Sequence, residues 1–547
     1  METISLKDSN YFSKLMLNYI NQDENLKDFY NLFPTKENYI KQAQNKLGHY
    51  KNRAILVDQI SKQLSHLDLS EKQQNNLEKL REKNTVTITT GHQLNLFTGP
   101  IFFFYKILQV IKSCKELNKE QSEINFVPMF WMATEDHDFE EINHFKFGDR
   151  IIHWEKEFGG PVGRLSTDGL QKVFDSFLSL IPNGKKKTEL QNLIESSYLS
   201  NDNLTDATRK LVHLLFKDFG LLMIDGDDKE LKKLMIPTFE EELFQSTSFK
   251  KVIPQNEKLE QLGYSIQVNP REINLFYINQ DNSRERVVEK NGTYFVNNTS
   301  IKFSKEEIVA DLRQNPDKFS PNVILRPLYQ ETILPNVAYV GGGGEIAYWL
   351  QLKEMFNQFE VDFPLLVLRN SLLIRTEKQY EKQQKLDLSN EDLFSNSLAI
   401  TKKRSINSSE IAPKLPELEE ELKSIFERLE HLSSLTESSF ADMIQAQRTK
   451  QLKGFEKIKQ RLVHAEVKKN EDLLKRIEQL LNDLSQQNGL QERVKNFADF
   501  DYINTQYFID FIEDSLRPFE FEFIINTLKE NSKQNIICIF DHENSSK

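Results

Sequence analysis

The sequence predicts an α/β protein with a long helical hairpin attached. Three stretches carry that expectation: VTITTGHQLNLFTGPIFFFYK at 86–106, NFVPMFWMATEDHDFEEIN at 125–143, and a leucine-spaced run from Leu415 to Leu484. In the first, Val86 and Ile88 alternate with threonines, the period of a half-buried strand. Gly91 ends it, and Thr98-Gly99-Pro100 offers an N-cap with Pro at the first helical position. Ile101, Phe104, Ile107, Leu108, Ile111 and Cys114 then suit a helix laid on a sheet. The second stretch is an apolar strand to about Met132 that runs into Glu135-Asp136-His137-Asp138. The two read as one βαβ unit with polar residues gathered beyond both strands, where open α/β sheets bind ligands.

The totals narrow the class. A chain of 547 residues is long enough for more than one folding unit, and 39 Phe supply large apolar area for its core. A net charge of -11 argues against a general binder of nucleic acid or of anionic membranes, whose affinity rests on Lys and Arg. No apolar run reaches the ~18 residues of a membrane span. The opening METISLKDSN lacks the basic and apolar regions of a secretory signal, so a cytoplasmic protein is expected. Two cysteines, Cys114 and Cys538, give neither a disulfide framework nor a cysteine-based zinc site.

Along the chain, residues 1–80 read as polar helices covering one flank of a core at 81–380, which has insertions near 155–220 and 260–300. Ile151–Trp154 suits a further strand, and Phe219–Asp228 a buried strand ending in an acidic turn. Tyr264–Val268, Leu275–Ile278, Arg286–Val288 and Thr293–Val296 suggest a small antiparallel excursion. Arg326 follows an apolar run beside Pro327, and Gly341–Gly344 opens a helix. That loop is neither G-x-G-x-x-G nor a P-loop, and Glu345 stands where a phosphate would sit. A carboxylate there suits a cationic or hydroxylic group, or simply caps a helix that glycines allow to pack closely. Phe363–Arg369 reads as the last strand of the main sheet.

Composition then shifts. Leu415, Leu418, Leu422, Ile425, Leu429 and Leu432 alternate three and four apart, a heptad seam. A second run from Phe455 to Leu484 has an irregular step near Lys469, so 381–488 is expected to be a coiled-coil hairpin that self-associates. Residues 489–547, with Tyr507–Ile512 and the strand-like Ile536–Phe540, are expected to return to the globular body.

The chemistry concentrates at two places. Glu141 and His144 have E-x-x-H spacing, yet His137 and His144 lie seven apart and no H-E-x-x-H exists, so acid–base or substrate-orienting work by His137 and its neighbours outweighs a metal site. The loop from Gly91 to Gly99 joins a strand to a helix and can cradle phosphates. In physical terms it resembles the first signature of class I synthetase-like nucleotidyl transferases, with only His92 echoing its letters.

Taken together, TGHQLNLFTGPIFFFYK, VPMFWMATEDHDFEEINH, NVILRPLYQETILPNVAYVGGGGEIAYWLQLK and QERVKNFADFDYINTQYFIDFI resemble the cysteine-adding enzyme family of bacillithiol biosynthesis, in order and across the chain. The resemblance implies a Rossmann-like core with connecting insertions and a coiled coil that forms a homodimer. It implies addition of cysteine to glucosaminyl malate, with ATP and Mg2+ activating the cysteine carboxylate as an adenylate. By motif, Gln93, Thr98, Gly99, Gly341 and Gly342 would bind nucleotide, and Glu135, Asp136, His137 and Asp138 would be catalytic. Asn143, Arg326, Gln330, Tyr339, Glu345 and Tyr348 would bind substrate. His92 stands where the family usually has Gln, and Gly343 where it often has Pro. The related mycothiol-pathway ligase selects cysteine through a zinc-bound thiolate, and this chain lacks the cysteines for such a site; no structural zinc is expected. The alternatives are a metal-dependent hydrolase or deacetylase using Glu135–His144, and a non-catalytic nucleotide-binding scaffold.

Overall fold

Five parallel strands lie at the centre: β1 (Thr85–His92), β2 (Asn125–Met132), β3 (Leu222–Asp225), β4 (Asn336–Gly341) and β5 (Leu365–Leu368). Their order is β5-β4-β1-β2-β3, so the winding reverses between β1 and β4. This computed structural model describes residues 1–433, 435, 437–485, 489–500 and 504–529; the strand expected at 536–540, with Cys538, lies outside the described residues. The chain divides into two units, one of residues 1–374 with the segment from 490 onward, the other Arg375–Gly489.

The βαβ unit read from the sequence is β1, helix α1 (Phe102–Glu120) and β2, with β1 and β2 in register from Thr85↔Asn125 to His92↔Met132. β1 differs from its expected half-burial: every residue from Thr85 to Gly91 is buried. Val86 and Ile88 join a core with Val110, Cys114 and Leu117 of α1 and with Tyr39 and Ala43. On the alternate positions, Thr87 and Thr89 hydroxyls donate to Asn336 Oδ1 at 3.3 and 2.7 Å. Threonine suits β1 because a β4 amide satisfies it, each bond contributing about 1 kcal/mol.

The expected N-cap is also revised. Phe97, Thr98 and Gly99 take φ of 47°, 67° and 61°, and α1 begins only at Phe102. The Thr98 hydroxyl is buried with no partner among the described residues. Asn496 Nδ2 instead donates to the Phe97 and Gly99 carbonyls at 2.9 and 2.7 Å, so a distant side chain stabilises a left-handed turn that disfavours non-glycine residues.

The first eighty residues are part of the core rather than a flank. Glu2–Ser5 is a strand paired antiparallel with Glu522–Leu528. Helix Lys36–His49 sends Tyr39 and Ala43 into the core, and helices Arg53–Leu64 and Glu71–Arg81 bury Leu56, Ile60 and Leu80. The insertion near 155–220 is helical after a hairpin of His144–Phe147 with Arg150–His153. The later insertion builds a five-stranded antiparallel sheet from Leu275–Ile278, Arg284–Lys290, Thr293–Val296, Lys302–Phe303 and Phe319–Pro321. Tyr264–Val268 is not a strand. The Gln351 side chain accepts from the Gln267 and Val268 amides and donates to the Val268 carbonyl, doing locally what a neighbouring strand would do.

The second unit holds helices α4 (Leu415–Ser433), α5 (Ser438–Lys469) and α6 (Glu471–Ser485), preceded by Glu377–Lys385 and Ser397–Asn407. Glu419–Lys459 at 2.7 Å and Glu430–Arg448 at 3.1 Å mark α4 and α5 as antiparallel. The irregular step is a real break at Asn470, whose side chain donates to Ser405 Oγ at 3.0 Å. The expected seam is only partly used. Ile477, Leu480 and Leu484 of the second run are buried, while in α4 Leu415 and Leu422 are half-buried and Leu418, Ile425, Leu429 and Leu432 stay exposed; the buried Phe426 lies outside that spacing.

Candidate active site

A cavity of about 760 Å³ lies past the carboxyl ends of β1, β2 and β4, at the reversal of strand order. That is where the fold leaves strand ends unobstructed by crossovers. β1 contributes Gly91 and His92, the chain after β2 contributes Glu135–His137, and β4 contributes Tyr339. Arg326, from helix α2 (Leu325–Ile333), and Glu345 and Tyr348, from helix α3 (Gly343–Trp349), also line it. The antiparallel insertion closes another side with Phe276, Arg284 and Arg286.

Between β1 and β4 the cavity is anchored by an ion pair of buried Lys106 with half-buried Glu345. Lys106 Nζ donates to the Gly91 carbonyl and, at 2.8 Å, to Glu345 Oε2. Glu345 also accepts from the Tyr339 hydroxyl at 2.6 Å and the Gly342 amide at 2.9 Å. Burial opposes charge on Glu345, but Lys106 and these donors outweigh it and hold the carboxyl at about 2. Arg326 donates to the Tyr348 hydroxyl at 3.0 Å and to Gln330 Oε1 at 3.1 Å. His92, packed against Phe102 and Phe103, is pushed down to about 4 by burial and by Lys106. It is therefore neutral at pH 7, and its Nδ1 lies 2.8 Å from the Gln93 carbonyl, which only an Nδ1–H can satisfy.

The strand-end cluster beyond β2 has a different character. Gln93 Nε2 donates to both Asp136 Oδ2 (2.8 Å) and Glu141 Oε2 (2.6 Å). Arg284, whose guanidinium lies 3.9 Å from the centre of the Phe276 ring, donates to His137 Nδ1 at 2.7 Å. Burial and Arg284 lower the His137 value, so the ring is neutral with its proton on Nε2. Its available group is an N–H donor, not a base. Glu135 faces buried Lys232 at 2.6 Å, and Lys232 also reaches Asp227 at 3.3 Å. Arg164 closes the group with two bonds to Asp227 at 2.8 and 2.9 Å. Burial raises the Glu135 value while Lys232 opposes the rise, and Asp225 behind it is raised to about 6 by burial and by Asp227.

Of the residues singled out from the sequence, Gln93, Glu135, Asp136, His137, Arg326, Tyr339, Glu345 and Tyr348 share the cavity. Asp138 lies on an adjoining hollow, where its carboxylate caps Phe139–Ile142. Asn143 is buried and hydrogen-bonded to Glu140 and His144. Gln330 is buried behind Arg326 and donates to Glu331 at 2.8 Å. Thr98 and Gly99 form the strained turn and do not line the cavity. Gly341 and Gly342 do not line it either; a Cβ on Gly341 would meet Glu345 Cβ and Tyr339 Cε1 at 3.0 Å, so close packing and capping account for the loop. Among the described residues no three His, Cys, Asp or Glu side chains are placed to hold a metal ion, and Glu141 and His144 are engaged separately.

Lys106, Arg284 and Lys232 were not singled out beforehand. Lys106 had a readable signal, a lone charge in Phe102–Val110, the otherwise uncharged first half of its helix. Arg284 and Lys232 had none, because their partners lie 147 and 97 residues away, in His137 and Glu135.

Comparison with known proteins adds independent findings. Residues 1–370 match the family described as bacillithiol biosynthesis BshC, N-terminal Rossmann-like domain, and residues 372–528 match the BshC C-terminal coiled-coil domain. Relatives provisionally named cysteine ligase BshC include those of Flavobacterium johnsoniae, 46% identical over 96% of this chain and 99% of its own, and Flavobacterium psychrophilum, 46% identical with the same coverage. That of Christiangramia forsetii is 42% identical over 96% of this chain and 98% of its own. With both domains matched in order over nearly the whole length, and with relatives 46% identical over 96% of the chain, this chain belongs to the BshC family of bacillithiol biosynthesis.

Proposed function

We propose that this protein is an ATP-dependent cysteine ligase that joins the cysteine carboxyl to the amine of glucosaminyl malate. The single observation that supports it most is the cavity at the strand switch point of the family-matched domain, lined by the carboxylates Asp136 and Glu141 and by guanidinium groups. In this reading the cysteine carboxylate attacks the α-phosphorus of ATP, forming cysteinyl adenylate and releasing pyrophosphate. The acceptor amine then attacks the adenylate carbonyl; an amide forms, AMP leaves and one proton is released. Asp136 orients the amine and accepts that proton, and the Nε2–H of His137 donates to the oxygen on which charge develops. Arg326, braced by Gln330 and Tyr348, adds fixed positive charge without reorganisation. Magnesium accompanies the nucleotide phosphates, and the exposed carboxylates Asp138 and Glu140 on the adjoining hollow suit it by charge.

The exposed apolar residues of α4 support a homodimer through the helical unit, since such stripes are normally covered. The test of the main reading is incubation of pure protein with ATP, cysteine and glucosaminyl malate. Thiol product with stoichiometric AMP is expected; no product while a control enzyme is active sinks the ligase, and ADP in place of AMP sinks the adenylate.

A further inference from the structure

Two arginines on the cavity wall differ from every other cation there. Among the described residues, neither the Arg271 nor the Arg286 guanidinium has a hydrogen-bond or ion-pair partner. Arg284, two positions from Arg286 on one strand, is fully used: it donates to Ser320 Oγ at 2.9 Å, to the Pro321 carbonyl at 3.0 Å and to His137. Arg286 is the register partner of cavity-lining Phe276, and alternation along a strand puts Arg284 and Arg286 on one face.

The backbone beneath Arg271 is fixed although its side chain is free. Asn274 accepts from the Arg271 amide at 3.0 Å and donates to its carbonyl at 2.7 Å. Asn274 is itself buried and bonded to Glu242, Ser248 and Asn322. Such support fixes the backbone from which the Arg271 side chain extends along the cavity wall.

Also lining the cavity, Asp136 and Glu141 share one amide donor, Gln93, and have no Lys or Arg partner among the described residues. His137, 3.8 Å from Asp136, supplies no charge while neutral. Among the described residues the cavity thus carries both unpaired guanidinium groups, on Arg271 and Arg286, and carboxylates without a cationic partner, on Asp136 and Glu141. A ligand matching both carries carboxylates at one end and an ammonium at the other.

We infer that Arg271 and Arg286 are the carboxylate subsite for the acceptor: its dicarboxylate end lies on these two arginines and its amine end on Asp136 and Glu141. This rests on the ligase reading and deepens it, because it fixes which end of the acceptor meets the activated carboxyl group. Guanidinium suits the task, since its planar fork pairs bidentately with carboxylate.

The test is calorimetric titration of the full-length protein with L-malate, repeated with Arg271→Gln and Arg286→Gln and in the presence of ATP or pyrophosphate. Saturable malate binding is expected, weakened about tenfold or more by either change, as loss of a charged hydrogen-bond pair implies. It should persist with ATP or pyrophosphate present. Absent binding, binding unaltered in both variants, or displacement by pyrophosphate overturns the inference, the last by assigning the arginines to phosphate. Because neither guanidinium bonds to protein, both variants should keep the wild-type Tm, and Arg286→Lys should restore part of the affinity. In turnover assays the KM for acceptor should rise about tenfold with the KM for ATP within about twofold. A protein that binds malate through these arginines but makes no thiol defeats the ligase reading alone. One that makes thiol with acceptor KM unchanged in both variants defeats the subsite alone.

Discussion

Lys106 and Glu345 show how one residue pair joins stability to the site. Lys106 is taken from water and Glu345 half so, and Glu345 makes the buried cation tolerable: burial lowers the Lys106 value and Glu345 opposes that fall. Lys106→Met leaves a half-buried Glu345 without its cation, a change expected to cost about 2 kcal/mol in thermal or urea unfolding. Lys106→Met with Glu345→Gln should recover much of that loss, and no recovery would show that the pair acts independently. Because the Glu345 value is depressed to about 2, its stabilisation is present above pH 4.5 and lost only as pH falls through about 2. The strand-end residues behave differently, being partly exposed. Asp136→Asn and His137→Ala are each expected to lower kcat at least about a hundredfold while leaving Tm nearly unchanged. A large loss of stability instead would mark them as structural.

At the scale of elements, the spacing of apolar residues was informative about type and poor about partners. The α4 leucines announce a helix with a seam, and α4 is a helix, yet Phe426 is buried while Leu429 and Leu432 are exposed. The ion pairs to α5 come from Glu419 and Glu430 rather than from the seam positions, an orientation that sequence spacing cannot reveal. The exposed stripe leads to a direct expectation. Leu429→Glu with Leu432→Glu should convert a dimer to a monomer in light scattering, and an unchanged mass would reject this interface. Likewise, Tyr264–Val268 carries a strand-like pattern, but its backbone bonds are taken by the Gln351 side chain, 83 residues from Val268. The glycine run at 341–344 left a ligand loop and a closely packed, capped helix both open; the structure shows Glu345 capping the helix N-terminus from within the chain.

At the scale of the whole molecule, buried ionisable groups give folding a pH dependence whose parts have opposite sign. Neutral His92, with a folded value of about 4 against an ordinary 6.5, favours folding fully above pH 6.5 and less as pH falls toward 4. Asp225 and Glu331, raised by burial to about 6 and about 7, tilt the other way, losing stability as pH rises through those values. A difference measurement separates them. His92→Gln should unfold in urea with a weaker loss of stability between pH 6.5 and 4 than the wild type; parallel curves would mean that His92 is protonated in the folded state. Among the described residues no helix is long and apolar enough to cross a membrane.

The sequence by itself determined the βαβ unit, the strand-end positions of Gln93 and Glu135–His137, and the presence of a helical hairpin. These are local properties, written in periods of two and of three to four residues and in breakers such as Gly91. Only the tertiary structure decided which of the candidate residues share a cavity. Asn143 and Gln330 became supports, Thr98 and Gly99 a strained turn, and Lys106, Arg284 and Lys232 entered the site unannounced. The reason is that charge neutralisation and hydrogen-bond satisfaction are settled between strands and insertions far apart in sequence. A lone side chain does not state which buried group it will have to satisfy.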